Sequence, residues 1–383
     1  MQKMFSVRRA VCALVSAVTL ILSILVPVSA EPQGSSSLPS VSARSAVLAD
    51  GESGNIVWSK NADERLPMAS TTKIITAIVA IENCELSSDV EIPPEACGVE
   101  GSSIYLKPGE HLTLEELLFA MMLESANDAA CAVAIAVAGS IPQFAELMNE
   151  TAQSIGMSDS HFTNPHGLDN EEHYTTAADM AKLAVHALAN EDFARIVSTY
   201  KKTIPLCGDE GTRVLLNHNK LLKYYDDAVG IKTGFTKRSG RCLVSAAKRN
   251  GMTMVAVTLS APDDWNDHMA MLDYGFSVLR HETIAGVGDV SLAIPVAGGA
   301  SQTIEIRNTE EIGVTLPAAA GEVKTVIEAP RFLFAPVSEG DAVGRARFFV
   351  DGEEVASVTL SAASSCKIQK KQSFFERVRE LYK

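Results

Sequence analysis

Three short strings in this chain of 383 residues carry groups suited to nucleophilic chemistry: Ser70-Thr71-Thr72-Lys73, Ser125-Ala126-Asn127 and Lys232-Thr233-Gly234. In the first, residues at i and i+3 share one face of a helix, which brings the Lys73 amine towards the Ser70 oxygen. A desolvated position beside the positive end of a helix dipole favours the neutral amine, so Ser70 gains a proton acceptor. The plainer alternative is that Ser70 caps the helix and Lys73 reaches out to water. Ser-x-x-Lys recurs at Ser198/Lys201, Ser245/Lys248 and Ser364/Lys367. What separates the Ser70 copy is its setting, after Leu66-Pro67-Met68-Ala69 and ahead of a helical stretch apolar on nearly every side.

Ser125 and Asn127 interrupt apolar helices, where unpartnered polar groups are costly, so something polar must face them. The alternative is that Asn127 or Asp128 caps the next helix, and Ser-x-Asn has a second copy at Ser59/Asn61. Lys-Thr-Gly occurs once, on a predicted strand. Its plain explanation is a solvated edge strand with Gly234 as a bulge. The sharper one is that Lys232 and Thr233 meet a substrate carboxylate while Gly234 lets a ligand approach the strand backbone.

The elements that must position these groups follow from periodicity. Residues 46–60 predict a hairpin and 70–82 a helix buried on all sides. Residues 113–123 and 128–138 predict two helices with a loop between them. From residue 229 the period changes to two, predicting strands at 230–235, 241–248 and 252–261, the last two joined by Asn250-Gly251. A helix over 268–279 follows. Helices around an antiparallel sheet make an α/β (α+β) catalytic domain, expected over 44–283. Residues 284–365 read as strand and turn throughout, with Asp351-Gly352 as another hairpin turn, and predict a small all-β sandwich-like domain.

The ends carry addresses. Lys3, Arg8 and Arg9 precede an uncharged run to Val26, and Val28-Ser29-Ala30 offers small residues for cleavage, so 1–30 is expected to be a signal peptide. An uncleaved anchor is the other account of that stretch. Residues 31–43 are a Pro/Gly/Ser linker. Without the signal, 30 basic residues face 47 acidic ones, a balance that repels nucleic acid. Residues 366–383 reverse the sign, with six Lys/Arg against two Glu, and place Ile368, Phe375, Val378 and Tyr382 at helical spacing. Such a helix is too short to span a bilayer but can lie in its interface, so the expectation is an exported protein attached peripherally to the extracytoplasmic membrane face. An ordinary surface helix is the alternative. Cys131, Cys207 and Cys242 read as core thiols, and Cys84 with Cys97 is the one local pair whose disulfide state stays open.

Motif order and separation decide between these alternatives. Ser125 lies 55 residues after Ser70, and Lys232 a further 107 on. This arrangement resembles the penicillin-binding protein and serine β-lactamase superfamily. PMASTTKIITA, ESANDAA, HFTNPHGLDNEEHYTTAADMAKLA and GIKTGFT are similar to the D-Ala-D-Ala carboxypeptidase family of low-molecular-mass penicillin-binding proteins, of the DacA and DacF type. The resemblance implies an acyl-enzyme on Ser70, Lys73 as general base and Ser125 as proton relay to the leaving group. It further implies that Asn127 orients the substrate amide, Lys232 keeps the site electropositive, Thr233 holds the terminal carboxylate, and the N–H groups of Ser70 and Phe235 form the oxyanion hole. The implied partners are peptidoglycan stem peptides ending in D-Ala-D-Ala and β-lactam inhibitors, with no cofactor.

The sequence departs from the family at one place. Members carry a basic, carboxylate-binding residue in the segment matching residues 262–269, which here reads PDDWNDHM. Arg238 or Arg241 substitutes, or Lys232 and Thr233 act alone. His161, His166 and His173 share one loop without metal-ligand spacing and read as polar loop residues. Two rivals are a class A-like β-lactamase and a non-catalytic wall-binding or β-lactam-sensing protein. The first needs a deacylating carboxylate, and Glu171 and Glu172 lack the Glu-x-x-Leu-Asn arrangement; the second would need a further membrane-spanning helix.

Overall fold

The computed structural model describes residues 37–206 and 211–369. The expected signal segment, the first six residues of the linker, Cys207 and the tail beyond Gln369 lie outside the described residues.

The first hairpin is β1 (Ser45–Asp50) with β2 (Ile56–Lys60), paired antiparallel. A 3-10 turn, Ala69–Thr72, then feeds α1 (Lys73–Asn83). The periodicity predicted one helix from residue 70; instead Ser70 occupies the tighter turn and Lys73 is the first residue of the α-helix. Short strands β3 (Asp89–Glu91) and β4 (His111–Thr113) pair ahead of α2 (Leu114–Leu123). That helix opens with a capping box, in which Glu116 N–H donates to Thr113 Oγ1 and Thr113 N–H to Glu116 Oε2. Then come α3 (Asn127–Ala138), α4 (Ile141–Ser154), α5 (Ala177–Leu188) and α6 (Glu191–Ser198). The ribbon β5 (Lys201–Pro205) and β6 (Thr212–Leu216) and the single turn α7 (Leu221–Tyr224) follow. Strands β7 (Ala228–Thr236), β8 (Gly240–Arg249) and β9 (Met252–Leu259) and helix α8 (Asp264–Val278) complete the domain.

The main sheet runs β2-β1-β9-β8-β7, antiparallel throughout. Alternation along its strands serves two cores, because successive side chains point to opposite faces. Val47, Val244, Val255 and Val257 join the large core with α1, α2 and α3, whereas Leu48, Leu243, Met254 and Ala256 pack on the α8 side. A sheet covered on both faces needs apolar residues at both parities, which is why β1 is buried at every position. Helix α8 starts one turn before residue 268. Asp264, Asp267 and His268 sit on its buried face, where apolar periodicity cannot register them. Each has partners: Asp267 accepts from Ser42 N–H, Ser42 Oγ and Ala43 N–H, and the His268 ring bridges Ser245 Oγ and Thr258 Oγ1.

Strand β10 (Leu279–Ala285) continues directly from α8 and pairs with β13 (Ile312–Pro317), so the all-β module takes up the chain at Leu279. Its second sheet uses β11 (Ser291–Ala297), β12 (Thr303–Asn308), β14 (Lys324–Glu328), β15 (Leu333–Phe334), β16 (Ala342–Val350) and β17 (Glu353–Ala362), in the order β14-β16-β17-β12-β11-β15. Ile294, Ile306, Phe348 and Leu360 fill its core. Cys366 bridges Val337 and Ile368 bridges Gly299, so the first residues of the expected tail belong to this module. Cys84 and Cys97 are both free thiols, and Cys131 and Cys242 are buried ones.

Candidate active site

The turn that carries Ser70 is held from three sides. Thr71 Oγ1 donates to Met68 O at 2.7 Å and Thr72 Oγ1 to Ala69 O at 2.8 Å, closing the turn on itself. Ala69 takes φ +48°, a left-handed conformation that a residue with a Cβ adopts only when its surroundings impose it. Strand β7 passes close by: a Cβ on Gly234 would lie 3.0 Å from Ser70 N and 3.1 Å from Met68 O and Thr71 N. The third support is Gly167 in the loop before α5, with φ +86°, where a Cβ would stand 1.9 Å from Ala69 O.

Lys73 lies behind Ser70 with its side chain fully buried. Its Nζ is 3.0 Å from Ser70 Oγ, 2.7 Å from Asn127 Oδ1 and 2.7 Å from His166 O. The Asn127 amide is oriented by its other end, where Nδ2 donates to Glu100 O at 2.6 Å, so Oδ1 must face the lysine. Burial, and then the positive charge of Lys232, push the Lys73 amine well below the ordinary lysine range. The N-cap position of α3 is Ala126, which has no side-chain cap, so Asn127 does not cap the helix and Asp128 meets only one first-turn N–H from inside it. Asn127 turns to Lys73, and the Asp128 carboxylate accepts from the first-turn N–H of Ala129 while also gathering Ser103 Oγ and the N–H groups of Ile104 and Leu106.

The other two motifs converge on the same place. Ser125, at φ +60°, and Ile231, at φ +105° just before Lys232, are strained in the same sense as Ala69, so each of the three strings has one imposed backbone conformation within it or immediately before it. Lys232 is buried, donates to Thr233 O at 3.0 Å, and is pushed down to about 7 by desolvation. A cleft of about 360 Å³ is lined by Ser70, Ser125, Thr233, Gly234 and Phe235. Lys73, Asn127 and Lys232 are not on its wall. They stand beneath it, so five of the expected residues meet the cleft and three support it from below. Strand β7 is the sheet's edge, as the plain explanation of Lys-Thr-Gly required, yet its lysine is not solvated.

Over residues 32–263 the chain matches the family model described as D-alanyl-D-alanine carboxypeptidase, and over residues 280–367 that of the penicillin-binding protein 5 C-terminal domain. The chain belongs to the D-alanyl-D-alanine carboxypeptidase family. A curated relative, the D-alanyl-D-alanine carboxypeptidase DacF of Bacillus subtilis (strain 168), is 32% identical over 335 residues, spanning 85% of this chain and 86% of the relative. Penicillin-binding protein 5 from Haemophilus influenzae has a solved structure similar at TM-score 0.68 and 27% identity, covering 86% of this chain and 99% of that one. A peptidoglycan synthesis regulatory factor from Streptococcus pneumoniae is similar at TM-score 0.73 and 25% identity, covering 86% and 100%. The fold is that of the penicillin-binding proteins, helices and antiparallel sheet followed by an all-β domain.

Within this carboxypeptidase-family site, several contributors escape a reading of spacing. His166 and His173 are loop residues that also support the site. His166 supplies its carbonyl to Lys73, and desolvation pushes its ring down to about 3. His173 is buried and pushed down to about 4, accepts from Thr163 N–H at Nδ1, and so presents Nε2–H to Thr72 Oγ1 at 2.8 Å. Arg241, across the strand pair from Phe235, lines the cleft with Asp264 and Trp265, whereas Arg238 does not. Its guanidinium bonds Asp264 Oδ1 at 2.8–2.9 Å and lies 5.6 Å from the Trp265 ring centre. The signals were present in the residue types of HFTNPHGLDN and PDDWNDHM, but only chain folding assigns them to the cleft.

Proposed function

We propose that this chain is a serine-type D-Ala-D-Ala carboxypeptidase, which removes the terminal D-alanine of peptidoglycan pentapeptide stems through an acyl-enzyme on Ser70 and is inhibited by β-lactams. The observation that carries this is the set of three contacts at Lys73 Nζ. A neutral amine has two N–H bonds and one lone pair; Asn127 Oδ1 and His166 O can only accept, so they take both N–H bonds and leave the lone pair on Ser70 Oγ. A depressed lysine so oriented is a general base for the hydroxyl beside it, an effect worth about 10²- to 10⁴-fold in rate.

In the proposed reaction Ser70 Oγ passes its proton to Lys73 and attacks the carbonyl of the penultimate D-alanine. The N–H groups of Ser70 and Phe235 receive the oxyanion, consistent with the close approach of Gly234 to Ser70 N. Ser125 relays a proton to the departing amine of D-alanine, and water then cleaves the ester. Thr233 binds the substrate carboxylate from the cleft wall while Lys232 beneath it keeps the site electropositive, and Asn127 orients the substrate amide as well as the lysine. Arg241 is the second cation, since of the two candidate arginines it alone lines the cleft. Glu171 and Glu172 are solvent-exposed and do not line the cleft, which argues against a β-lactamase water-activating role.

The composition of both ends supports export and peripheral attachment of the tail to the outer face of the cell membrane. Incubation with a labelled penicillin should add one label, found on Ser70 by mass spectrometry, and Ser70→Ala should release no D-alanine from a pentapeptide. A label elsewhere, or unchanged release, overturns the assignment. A chain ending at Gln369 should bind membranes more weakly than the full chain while keeping soluble activity; binding as tight as the full chain's would place the attachment elsewhere.

A further inference from the structure

Three large apolar side chains are left in solvent at one edge of the β module: Phe332, Phe334 and Ile368, which are 51%, 72% and 60% exposed. Phe332 and Phe334 are two residues apart on extended chain, so they share a face, and their rings meet edge-on at 5.2 Å. Phe334 pairs with Ala297 on β11, Ile368 bridges Gly299 two residues further on, and Gln369 N–H donates to Gly298 O at 2.8 Å. The aromatic pair therefore sits beside the point where the described chain ends. Exposed cations adjoin both parts, Arg331 before Phe332 and Lys367 before Ile368. The fourteen residues after Gln369 hold five Lys/Arg together with Phe374, Phe375, Leu381 and Tyr382. Glu339 and Asp341 adjoin this edge at the turn after Val337, where Glu339 N–H donates to Ser365 Oγ.

Aromatic rings flanked by cations suit one environment above others, the head-group layer of an anionic bilayer, where the ring is half-buried and the cation meets lipid phosphate. We propose that this edge is a second membrane contact, in which Phe332, Phe334 and Ile368 enter the lipid head-group layer alongside the tail. It rests on the reading of the tail as a membrane-attaching segment, and it adds a folded surface to that single attachment. Two contacts hold the module at a fixed face to the membrane, and binding strength follows the apolar area that both bury.

The test uses the chain from Glu31, which lacks the apolar signal run, mixed with vesicles of phosphatidylcholine containing phosphatidylglycerol and sedimented. Phe332→Ser with Phe334→Ser should weaken partitioning about tenfold while the penicillin acylation rate, read on the same samples, stays at the wild-type value. In a full-length Phe334→Trp variant, the emission added over wild type should be quenched by brominated lipid. Unchanged partitioning of the serine pair, or no quenching of the new tryptophan, overturns the proposal and leaves the tail reading intact. If the chain ending at Gln369 binds as tightly as the longer one, the tail reading fails, and the serine pair alone upholds or overturns the edge. If neither chain binds vesicles, both fall.

Discussion

Replacing Asn127 with aspartate keeps the shape of the site and adds one negative charge where the amide oxygen stands, 2.7 Å from Lys73 Nζ. At an effective dielectric of about 20 a pair at that distance interacts by about 6 kcal/mol, which is a ceiling. Close opposite charges in proteins shift a pKa by about 1–3 units, so Asn127→Asp should raise Lys73 by about 2. Lysine must be neutral to accept the Ser70 proton, and below its pKa the neutral fraction falls tenfold per unit. Acylation at a fixed pH on the acidic limb should therefore drop about 100-fold and recover tenfold for each unit of added pH. The lost Asn127 donor to Glu100 O also costs about 1–3 kcal/mol of stability, which does not alter the pH limb. The assay is the second-order acylation rate with a fluorescent penicillin from pH 5 to 10. His166 and His173, pushed down to about 3 and about 4, stay neutral throughout and contribute no limb in that range. A rate lowered equally at every pH, with the limb unmoved, would refute Lys73 as the base.

Gly234→Ala places a Cβ against three backbone atoms of the Ser70 turn at 3.0–3.1 Å, so strand and turn must separate by a few tenths of an ångström. Acylation should fall roughly 10- to 100-fold, and thermal unfolding should show a loss of about 1–3 kcal/mol; an acylation rate within twofold of wild type would show that this contact does not position the serine. Gly167→Ala meets Ala69 O at 1.9 Å from a left-handed φ, and should cost at least about 3 kcal/mol in denaturant unfolding as well as acylation. Lys232, pushed down to about 7 by burial, loses its charge as pH rises, so kcat/KM for a carboxylate-ended peptide should fall above about pH 7. The sign for stability is opposite: the depressed pKa means the unfolded chain binds more protons between about 7 and 10.4, so stability rises with pH across that window. Lys232→Met should accordingly be inactive but more stable than wild type at pH 6, by up to about 4 kcal/mol, and the difference should shrink towards pH 10.

Much of the framework was legible because it rests on local rules. The hairpin at Asn250-Gly251 follows from two residues that accept positive φ, at +51° and +82°, and the break between α2 and α3 from polar residues set between apolar helices. The helix at residue 264 was placed a turn late because Asp264, Asp267 and His268 look like loop residues until Arg241, Ser42, Ser245 and Thr258 are seen to partner them. Strand β10 escaped notice, since it pairs with β13 across 26 intervening residues and carries little pattern of its own.

By itself the sequence determined the chemical inventory: a serine and a lysine one helical turn apart, a polar interruption of two apolar helices, and a lysine-threonine-glycine strand, in a fixed order. Which of those groups faces the ligand and which lies beneath was decided only by the tertiary structure. Burial is a property of the assembled cores, and it is burial that lowers Lys73 and Lys232, sets Asn127 against Glu100 O and brings His166 O to the amine. A lysine is an ordinary cation wherever water reaches it; here packed helices and a strand exclude the water, and the same amine is pushed towards its neutral form.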